Sequence, residues 1–273
     1  MGDAFGRPII DEVERAAAAG TPYDLSKLVV MLSGGAALSA PLKQRFRTAL
    51  PHMMVIDGIG SSEAGGQMSQ VSAGSADSVS TGTFVCGPGN HVLDEELTHA
   101  LAPGHEGLGW LAKSGRLPQG YLGDAAKTAK TFPTVAGTRY SVPGDRARLL
   151  PGSDATLGLP LVELHGRDSV TINSGGEKIF AEEVEAALLT HPGVYDVTVA
   201  GRPSEKWGNE VVAVVQLAEG ATVTEAELLE AAATKVARYK LPKAFVFVDR
   251  IQRSPSGKAD YRWAKALAAE SAG

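Results

Sequence analysis

The stretch LVVMLSGGAALSAPLKQRF, residues 28–46, joins an apolar run, a glycine turn and an amphipathic segment. The run from Leu28 to Leu32 has the length and character of a buried parallel strand. Gly34 and Gly35 supply the turn that follows it. Apolar residues then recur on one helical face, at Leu38, Leu42, Phe46 and Leu50. We therefore predict a strand, a turn and a helix in this order.

A second stretch, MMVIDGIGSSEAGG from residue 53, repeats the plan of an apolar run that ends in glycine and hydroxyl residues. Two such units indicate an α/β sheet, whose ligands gather at the carboxyl ends of the strands. Residues 8–19 predict a preceding helix. The glycine- and proline-rich residues 72–138 predict small strands and loops, with a short helix in GYLGDAAKTAKTF.

After Gly166 the pattern changes to that of a small α+β domain. A strand pair closed by a Gly-Gly turn is followed by a helix and two strands. A second helix begins at a Thr-x-x-Glu capping box, Thr224 to Glu227, and is predicted to continue to Tyr239. One more strand and a short helix from about Tyr261 end the chain. We place the domain boundary between Arg167 and Asp168.

The composition is that of a globular protein with a small negative charge. The 273 residues suffice for one large or two ordinary domains, and 44% of them are hydrophobic. The net charge is −5 and no long basic run occurs, so we expect no nucleic-acid partner. The single cysteine, Cys86, excludes an intrachain disulfide. Because no apolar signal core or bilayer-spanning run is present, we predict a cytoplasmic protein without a transmembrane segment.

The loop QRSPSGKADYRW, residues 252–263, presents Lys258 after a Ser-Pro-Ser-Gly turn. A long cation on a bendable loop either keeps the tail solvated or reaches an anion. For an isolated C-terminal lysine, solvation is the more common explanation. The second explanation is favoured here by the Ser-Pro-Ser-Gly setting and by four other stretches that resemble the same protein family as this loop.

Five stretches resemble, in the expected order, the adenylate-forming superfamily of acyl-CoA synthetases, luciferases and peptide-synthetase adenylation domains. They are SGGAAL, GIGSSEAG, VPGDRARL, GRDSVTINSGGEKIFAEEVE and SPSGKADYRW. Each alone is an ordinary turn or loop, but all five in order are hard to obtain by chance. The residues of these stretches are most similar to those in the C-terminal half of bacterial fatty-acyl-CoA ligases.

The resemblance implies a fold class of α/β with α+β. Residues 1–167 would be the C-terminal portion of a large nucleotide-binding domain, made of a mixed sheet and a β-rich subdomain. Residues 168–273 would be a small mobile C-terminal domain that carries the catalytic lysine. The pivot between them would lie at Ser169, next to Asp168.

The resemblance also implies the site residues. Ser62 would contact the α-phosphate, Glu63 would hold Mg²⁺, and Lys258 would stabilise charge during adenylation, so these three form the catalytic set. Ile59 stands where an aromatic residue often stacks on adenine, which predicts weaker stacking. The other implied binding residues are Gly34, Gly35, Ala36, Gly58, Gly60 and Ser61 for the nucleotide, Asp145 and Arg167 for the ribose, and Gly175 and Gly176 for the coenzyme A tunnel.

The implied activity is an ATP-dependent acyl-CoA synthetase. A carboxylic acid, fatty or a sterol side chain, would react with ATP and Mg²⁺ to give acyl-AMP and then with coenzyme A. Two alternatives stay open, namely loading of a carrier-protein thiol and a non-catalytic nucleotide-binding or interaction module. The family's earlier phosphate loop, which ends in Pro-Lys-Gly, does not occur in the sequence, so we expect a fragment with little activity alone. A homodimer and the acyl chain length are also left open.

Overall fold

The computed structural model describes residues 2–72, 82–155 and 157–271 and divides into two compact units, Met1–His165 and Gly166–Gly273. Among the helices that the structure describes, none combines the length and apolar character needed to cross a bilayer.

The first unit begins with a sheet that carries two helices on one face. Its elements are α1 Asp3–Ala18, β1 Val30–Gly34, α2 Ala40–Ala49, β2 Met54–Ser61 and β3 Gly65–Ser72. Strand β1 pairs in parallel with β2, as the repeated strand-and-turn plan predicts, and β2 pairs antiparallel with β3. The core between helices and sheet consists of Ile10, Met31, Leu38, Leu42, Phe46, Leu50, Met53 and Val55.

Helix α1 begins earlier than the pattern over residues 8–19 predicts, and Pro8 lies inside it. The first turn is anchored from outside the helix, because the Asp3 carboxylate accepts a hydrogen bond of 2.7 Å from the Ser39 backbone N–H. Because the two residues are 36 positions apart, no local sequence pattern indicates this contact.

The other face of this sheet, which we call the open face, is apolar. Leu32, Ile56 and Val71 lie opposite one another across β1, β2 and β3. Leu32 is 68% exposed and Val71 57% exposed, and Met54 is exposed beside them. Parallel strands are usually covered on both faces, so the open face has the character of a contact surface.

The rest of the first unit is β-rich, as predicted for the described part of residues 72–138; residues 73–81 lie outside the described residues. Its elements are β4 Thr83–Val85, β5 Asn90–Leu93, β6 Gly109–Ser114, α3 Ala125–Thr131, β7 Thr134–Val135, β8 Thr138–Ser141, β9 Asp145–Ser153 and β10 Pro160–Arg167. The last two residues of β10 already belong to the second unit. The strands are ordered β4-β10-β9-β6-β8-β7, with β5 paired to β6. Met68 of β3 packs into the core of this sheet with Phe84 and Leu111, which joins it to the first sheet.

The second unit is a small α+β arrangement. Its elements are β11 Ile172–Ser174, β12 Glu177–Ile179, α4 Ala181–Leu188, β13 Val194–Ser204, β14 Gly208–Leu217, α5 Glu225–Ala233, β15 Ala244–Phe247 and α6 Tyr261–Glu270. The strands β13, β14 and β15 form a sheet in that order. Val211, Ala213 and Val215 of β14 belong to the core that α4 and α5 cover, whereas Val212 and Val214 belong to the core that α6 covers. This alternation follows from the two-residue period of a strand.

Helix α5 opens with the predicted capping box. The Thr224 side chain accepts a hydrogen bond from the Glu227 N–H, and the Glu227 carboxylate accepts one from the Thr224 N–H. The predicted continuation to Tyr239 is wrong, because the helix ends at Ala233. The β-branched Thr234 and Val236 follow, and such residues have low helix propensity.

Candidate active site

Two glycines of the neighbouring strands lie side by side, Gly34 at the end of β1 and Gly58 within β2, which continues past the predicted turn to Ser61. Gly34 of β1 lies directly opposite Gly58 of β2 in the parallel register. A Cβ atom on Gly34 would lie 3.1 Å from the Gly58 carbonyl oxygen, which is tighter than an ordinary contact. Gly35 follows with φ +78°, in the left-handed region that favours glycine. The predicted SGG and GIG residues therefore share one exposed edge of the sheet, beside Ala36.

The predicted phosphate-contacting residues lie in the tight hairpin between β2 and β3. Ser61 pairs with Gly65, and the Ser61 hydroxyl accepts a hydrogen bond of 3.1 Å from the Ala64 N–H. A Cβ atom on Gly60 would lie 2.5 Å from the Gly65 carbonyl oxygen, so only glycine fits this crossing. Ser62 is exposed at the turn.

The apolar side chain of Ile59 is only partly exposed to solvent. It is half-buried and packs against the core of the second sheet, which includes Met68 and Phe84. Its predicted place against adenine remains a prediction.

The carboxylate of Glu63 has a partner that the sequence analysis did not identify. The Tyr121 hydroxyl donates a hydrogen bond of 2.6 Å to Glu63 Oε1. This hydrogen bond lowers the pKa of Glu63 from its ordinary value against the opposing effect of burial, and the nearby Lys127 adds a smaller lowering. The same hydrogen bond raises the pKa of the Tyr121 phenol. Glu63 is thereby held as an oriented anion.

Helix α3 supports this tyrosine. The Asp124 side chain caps the helix by accepting a hydrogen bond of 2.8 Å from the Lys127 N–H. The Lys127 ammonium then lies 3.9 Å from the centroid of the Tyr121 ring, within cation–π range. The only sequence signal was a Gly-Tyr pair ahead of a predicted short helix, which is a weak indication of a site residue.

A buried ion pair lies beside Gly58 of β2. The Lys43 ammonium of α2 pairs with the Asp57 carboxylate, and the Lys43 side chain is only 1% exposed. Asp57 immediately precedes Gly58 in β2, so the pair joins this part of the strand to helix α2. Removing one partner of such a pair leaves an uncompensated buried charge, which is strongly destabilising.

Asp145 and Arg167 occupy different units. Asp145 begins β9 and is buried at 7% exposure. Arg167 is exposed, and its backbone N–H donates a hydrogen bond of 3.3 Å to Glu182 Oε1. Their predicted joint contact with a ribose remains a prediction.

The Gly175-Gly176 turn joins β11 to β12 as predicted. Both glycines lie in the left-handed region, with φ +59° and +90°. The Gly175 N–H donates a hydrogen bond of 2.8 Å to the Trp207 carbonyl. Trp207 is 41% exposed, and a Cβ atom on Gly175 would lie 3.0 Å from its ring. Trp207 is thus part of the surface beside this turn, which the sequence analysis did not identify.

The loop that carries Lys258 is more ordered than the expected bendable segment. The Ser254 N–H donates to the Lys258 carbonyl at 2.9 Å, and the Lys258 N–H donates to the Ser254 hydroxyl at 3.2 Å. Gly257 closes the turn with φ +78° and a hydrogen bond of 2.8 Å to the Ser254 carbonyl. The Lys258 side chain is exposed, and within the described part of the second unit no side chain pairs with its ammonium.

Two family models match this chain. The model of the AMP-binding enzyme matches residues 7–122, and that of the AMP-binding enzyme C-terminal domain matches residues 183–258. The chain belongs to the AMP-binding enzyme family. The predicted fold class, the end of the large adenylate-forming domain followed by the small α+β domain, is confirmed.

Curated relatives extend over nearly the whole chain. The medium-chain acyl-CoA ligase Mig of Mycobacterium avium is 56% identical over 265 residues, which are 97% of this chain and 46% of that protein. The 3-oxocholest-4-en-26-oate–CoA ligase of Rhodococcus rhodochrous is 44% identical over 97% of this chain and 46% of its own length. The chain therefore spans about half the length of the curated relatives that it matches.

Solved structures agree on the fold. The amide bond synthetase McbA of Marinactinospora thermotolerans superposes with a TM-score of 0.77 at 22% identity, over 95% of this chain and 50% of that one. At this level of identity the likeness concerns the fold alone.

Proposed function

We propose that this chain is the C-terminal part of an ATP-dependent acyl-CoA ligase. The observation that carries the proposal is the 56% identity to Mig along 97% of the chain. In the proposed reaction the carboxylate oxygen of the acid attacks the α-phosphorus of ATP, and pyrophosphate leaves. The coenzyme A thiol then attacks the acyl carbon of the acyl-AMP, AMP leaves, and the thiol proton is released.

In the proposed site the glycine edge formed by Gly34 and Gly58 takes the adenine, and Ser62 contacts the α-phosphate. The close approach of two backbones at this edge supports the proposal, since a flat ligand needs a surface without side chains. Asp145 and Arg167 are the proposed ribose contacts. Gly175 and Gly176 are the proposed contacts for coenzyme A.

Glu63 is the proposed ligand for Mg²⁺. In the described residues no group of three or more His, Cys, Asp or Glu side chains is arranged to hold a metal ion. A single carboxylate with a lowered pKa nevertheless fits Mg²⁺, which proteins often hold through one or two carboxylates together with substrate phosphates. The ion would neutralise phosphate charge when bound.

Lys258 is the proposed catalytic cation for adenylation. Phosphoryl-type transfers depend mainly on positioning and on charge stabilisation. An exposed ammonium without a partner in its own unit is available to meet the charge that develops on the phosphate oxygens.

The proposed acid is a medium-chain fatty acid, as in the name of Mig; a steroid side-chain acid, as in the name of the Rhodococcus relative, is the second candidate. The higher identity to Mig, 56% against 44%, favours the first. The open face of Leu32, Ile56 and Val71 is apolar and largely exposed. This exposure supports the proposal that the chain works with further polypeptide, which would cover this face.

The test is a hybrid enzyme, the Mig hybrid, in which this chain replaces the matching segment of Mig. We expect ATP–pyrophosphate exchange that depends on octanoate, and acyl-CoA formation when coenzyme A is added. A soluble, monodisperse hybrid that catalyses neither step would overturn the proposal. Transfer to a carrier-protein thiol in preference to coenzyme A would instead identify a carrier-loading enzyme.

A further inference from the structure

Arg253, at the start of the lysine loop, is held in a two-point ion pair. Its Nε donates to Asp196 Oδ2 at 2.7 Å and its Nη2 donates to Asp196 Oδ1 at 2.5 Å. The two side chains are only 20% and 13% exposed. Asp196 lies on β13 at a register irregularity of the β13–β14 pair. Such an irregularity re-aims side chains, and this one lies on β13, the strand beside the central strand β14.

The same guanidinium also reaches the backbone beside the lysine. Arg253 Nη1 donates a hydrogen bond of 3.2 Å to the carbonyl of Gly257, the residue immediately before Lys258. Arg253 and Ala259 additionally form an isolated antiparallel bridge across the loop. One planar group therefore connects a sheet strand to the backbone that carries Lys258.

The two ends of the loop are fixed separately. Ile251 is buried in the core under α6, and its N–H donates to Gln216 Oε1 at 3.0 Å. At the other end Asp260 caps α6 by accepting hydrogen bonds from the N–H groups of Arg262 and Trp263. Between these ends, the Arg253 side chain connects the middle of the loop to the sheet.

Resting on the proposed function, we propose that Arg253, held by Asp196, is a positioning residue that fixes the backbone of Lys258 for the adenylation step. Arginine suits this role because its rigid fork engages a carboxylate with two donors while a further donor stays free for the Gly257 carbonyl. A lysine at the same position would keep the charge but lose this geometry. The role concerns adenylation, which is the step to which the proposed function assigns Lys258.

The first test uses this 273-residue chain and amide hydrogen exchange. Arg253→Lys and Asp196→Asn should each speed exchange of the Gly257 and Lys258 amides at least about tenfold, while the Val212 and Val214 amides of β14 keep their rates. Ser254→Ala, a milder change, should speed the Lys258 amide because it removes that amide's acceptor.

Arg202→Lys is the matched control. Arg202 also forms a largely buried pair with a carboxylate, Glu210, on the same β13–β14 sheet. Among the described residues, the Arg202 side chain contacts Glu210 and the Ser271 hydroxyl rather than the loop, so its replacement should leave the Gly257 and Lys258 amides unchanged.

The second test measures the two half-reactions in the Mig hybrid. Arg253→Lys should slow adenylation about 100-fold, the cost of a displacement of roughly 1 Å in a catalytic group. The rate of thioester formation from supplied acyl-AMP should stay within about twofold of that of the unsubstituted hybrid. In Arg202→Lys the rates of both half-reactions should stay within the same range. A purely structural role would lower both half-reactions together.

Each outcome decides the proposal. Faster loop exchange together with a selective loss of adenylation supports it. Unchanged loop exchange, or equal acceleration throughout the second unit, overturns the anchoring, and faster loop exchange with normal adenylation overturns the positioning role. If the unsubstituted hybrid catalyses neither step, the proposed function fails and the positioning role with it, whereas the exchange data still decide whether Arg253 anchors the loop.

Discussion

The hydroxyl of Tyr121 donates a 2.6 Å hydrogen bond to the carboxylate of Glu63, which lies 58 residues earlier in the chain. The contact links the hairpin between β2 and β3 to the segment that precedes α3. It gives the proposed metal ligand a fixed orientation and an ionised state before any ligand arrives.

Replacing this tyrosine should release the carboxylate. We expect Tyr121→Phe to raise the pKa of Glu63 toward its ordinary value, because the hydrogen bond is the largest cause of its lowering. A carboxyl-carbon NMR titration of the chain would measure the change. Tyr23→Phe is the control, since Tyr23 donates a similar hydrogen bond of 2.7 Å to a different carboxylate, Glu12. An unaltered Glu63 titration in Tyr121→Phe would contradict the assignment.

The hairpin crossing at Gly60 should tolerate no side chain. We expect Gly60→Ala to lower the free energy of unfolding by about 1–3 kcal/mol, because the new Cβ would lie 2.5 Å from the Gly65 carbonyl oxygen. Urea unfolding would measure the loss. Gly66→Ala offers a neighbouring control, since its Cβ would meet no atom within 4 Å, and its effect should stay within about 0.5 kcal/mol. Equal effects of the two changes would show that the crossing is not tight.

Local patterns predicted much of this architecture. The apolar run followed by Gly34 and Gly35 identified β1 and its turn, and the Thr224–Glu227 box identified the start of α5. These signals lie within a few residues of what they specify. The predicted end of the same helix was wrong. The sequence pattern stays compatible with a helix beyond Ala233, but the backbone leaves the helical conformation there.

The contacts that orient the proposed catalytic groups were not predictable in the same way. Tyr121 and Glu63 are 58 residues apart, and Arg253 and Asp196 are 57 apart. A single tyrosine or aspartate in a segment without a regular apolar pattern gives no indication of its partner. Such pairs depend on how whole elements pack, so only the folded chain discloses them.

Glu185 should make the stability of the second unit depend on pH. The residue is half-buried, yet burial is the largest cause that raises its pKa from 4.5 to about 8. Glu182 and Asp196 add to the rise, whereas Arg253 and the Val199 N–H, which donates to its carboxylate, oppose it. The Tyr261 hydroxyl also faces it at 3.4 Å.

Between these two pKa values the folded state holds a proton that the unfolded state has released, so the free energy of unfolding falls as pH rises from about 4.5 to about 8. We expect Glu185→Gln to remove this slope, which is at most about 1.4 kcal/mol per pH unit for one group. Urea unfolding at a series of pH values would show it. Glu230→Gln, at an exposed position of α5, should keep the slope. A slope that persists in Glu185→Gln would assign it to another group.

Lys258→Ala should separate the two half-reactions of the Mig hybrid. Loss of a well-placed charge that stabilises a transition state typically costs about 100- to 1000-fold, so ATP–pyrophosphate exchange should fall by this factor. Thioester formation from supplied acyl-AMP should continue, because that step needs no charge on the leaving pyrophosphate. Lys265→Ala removes an exposed lysine of α6 a short distance along the chain and should leave both steps unchanged. If adenylation survives Lys258→Ala at its full rate, the ammonium of Lys258 is not the catalytic cation.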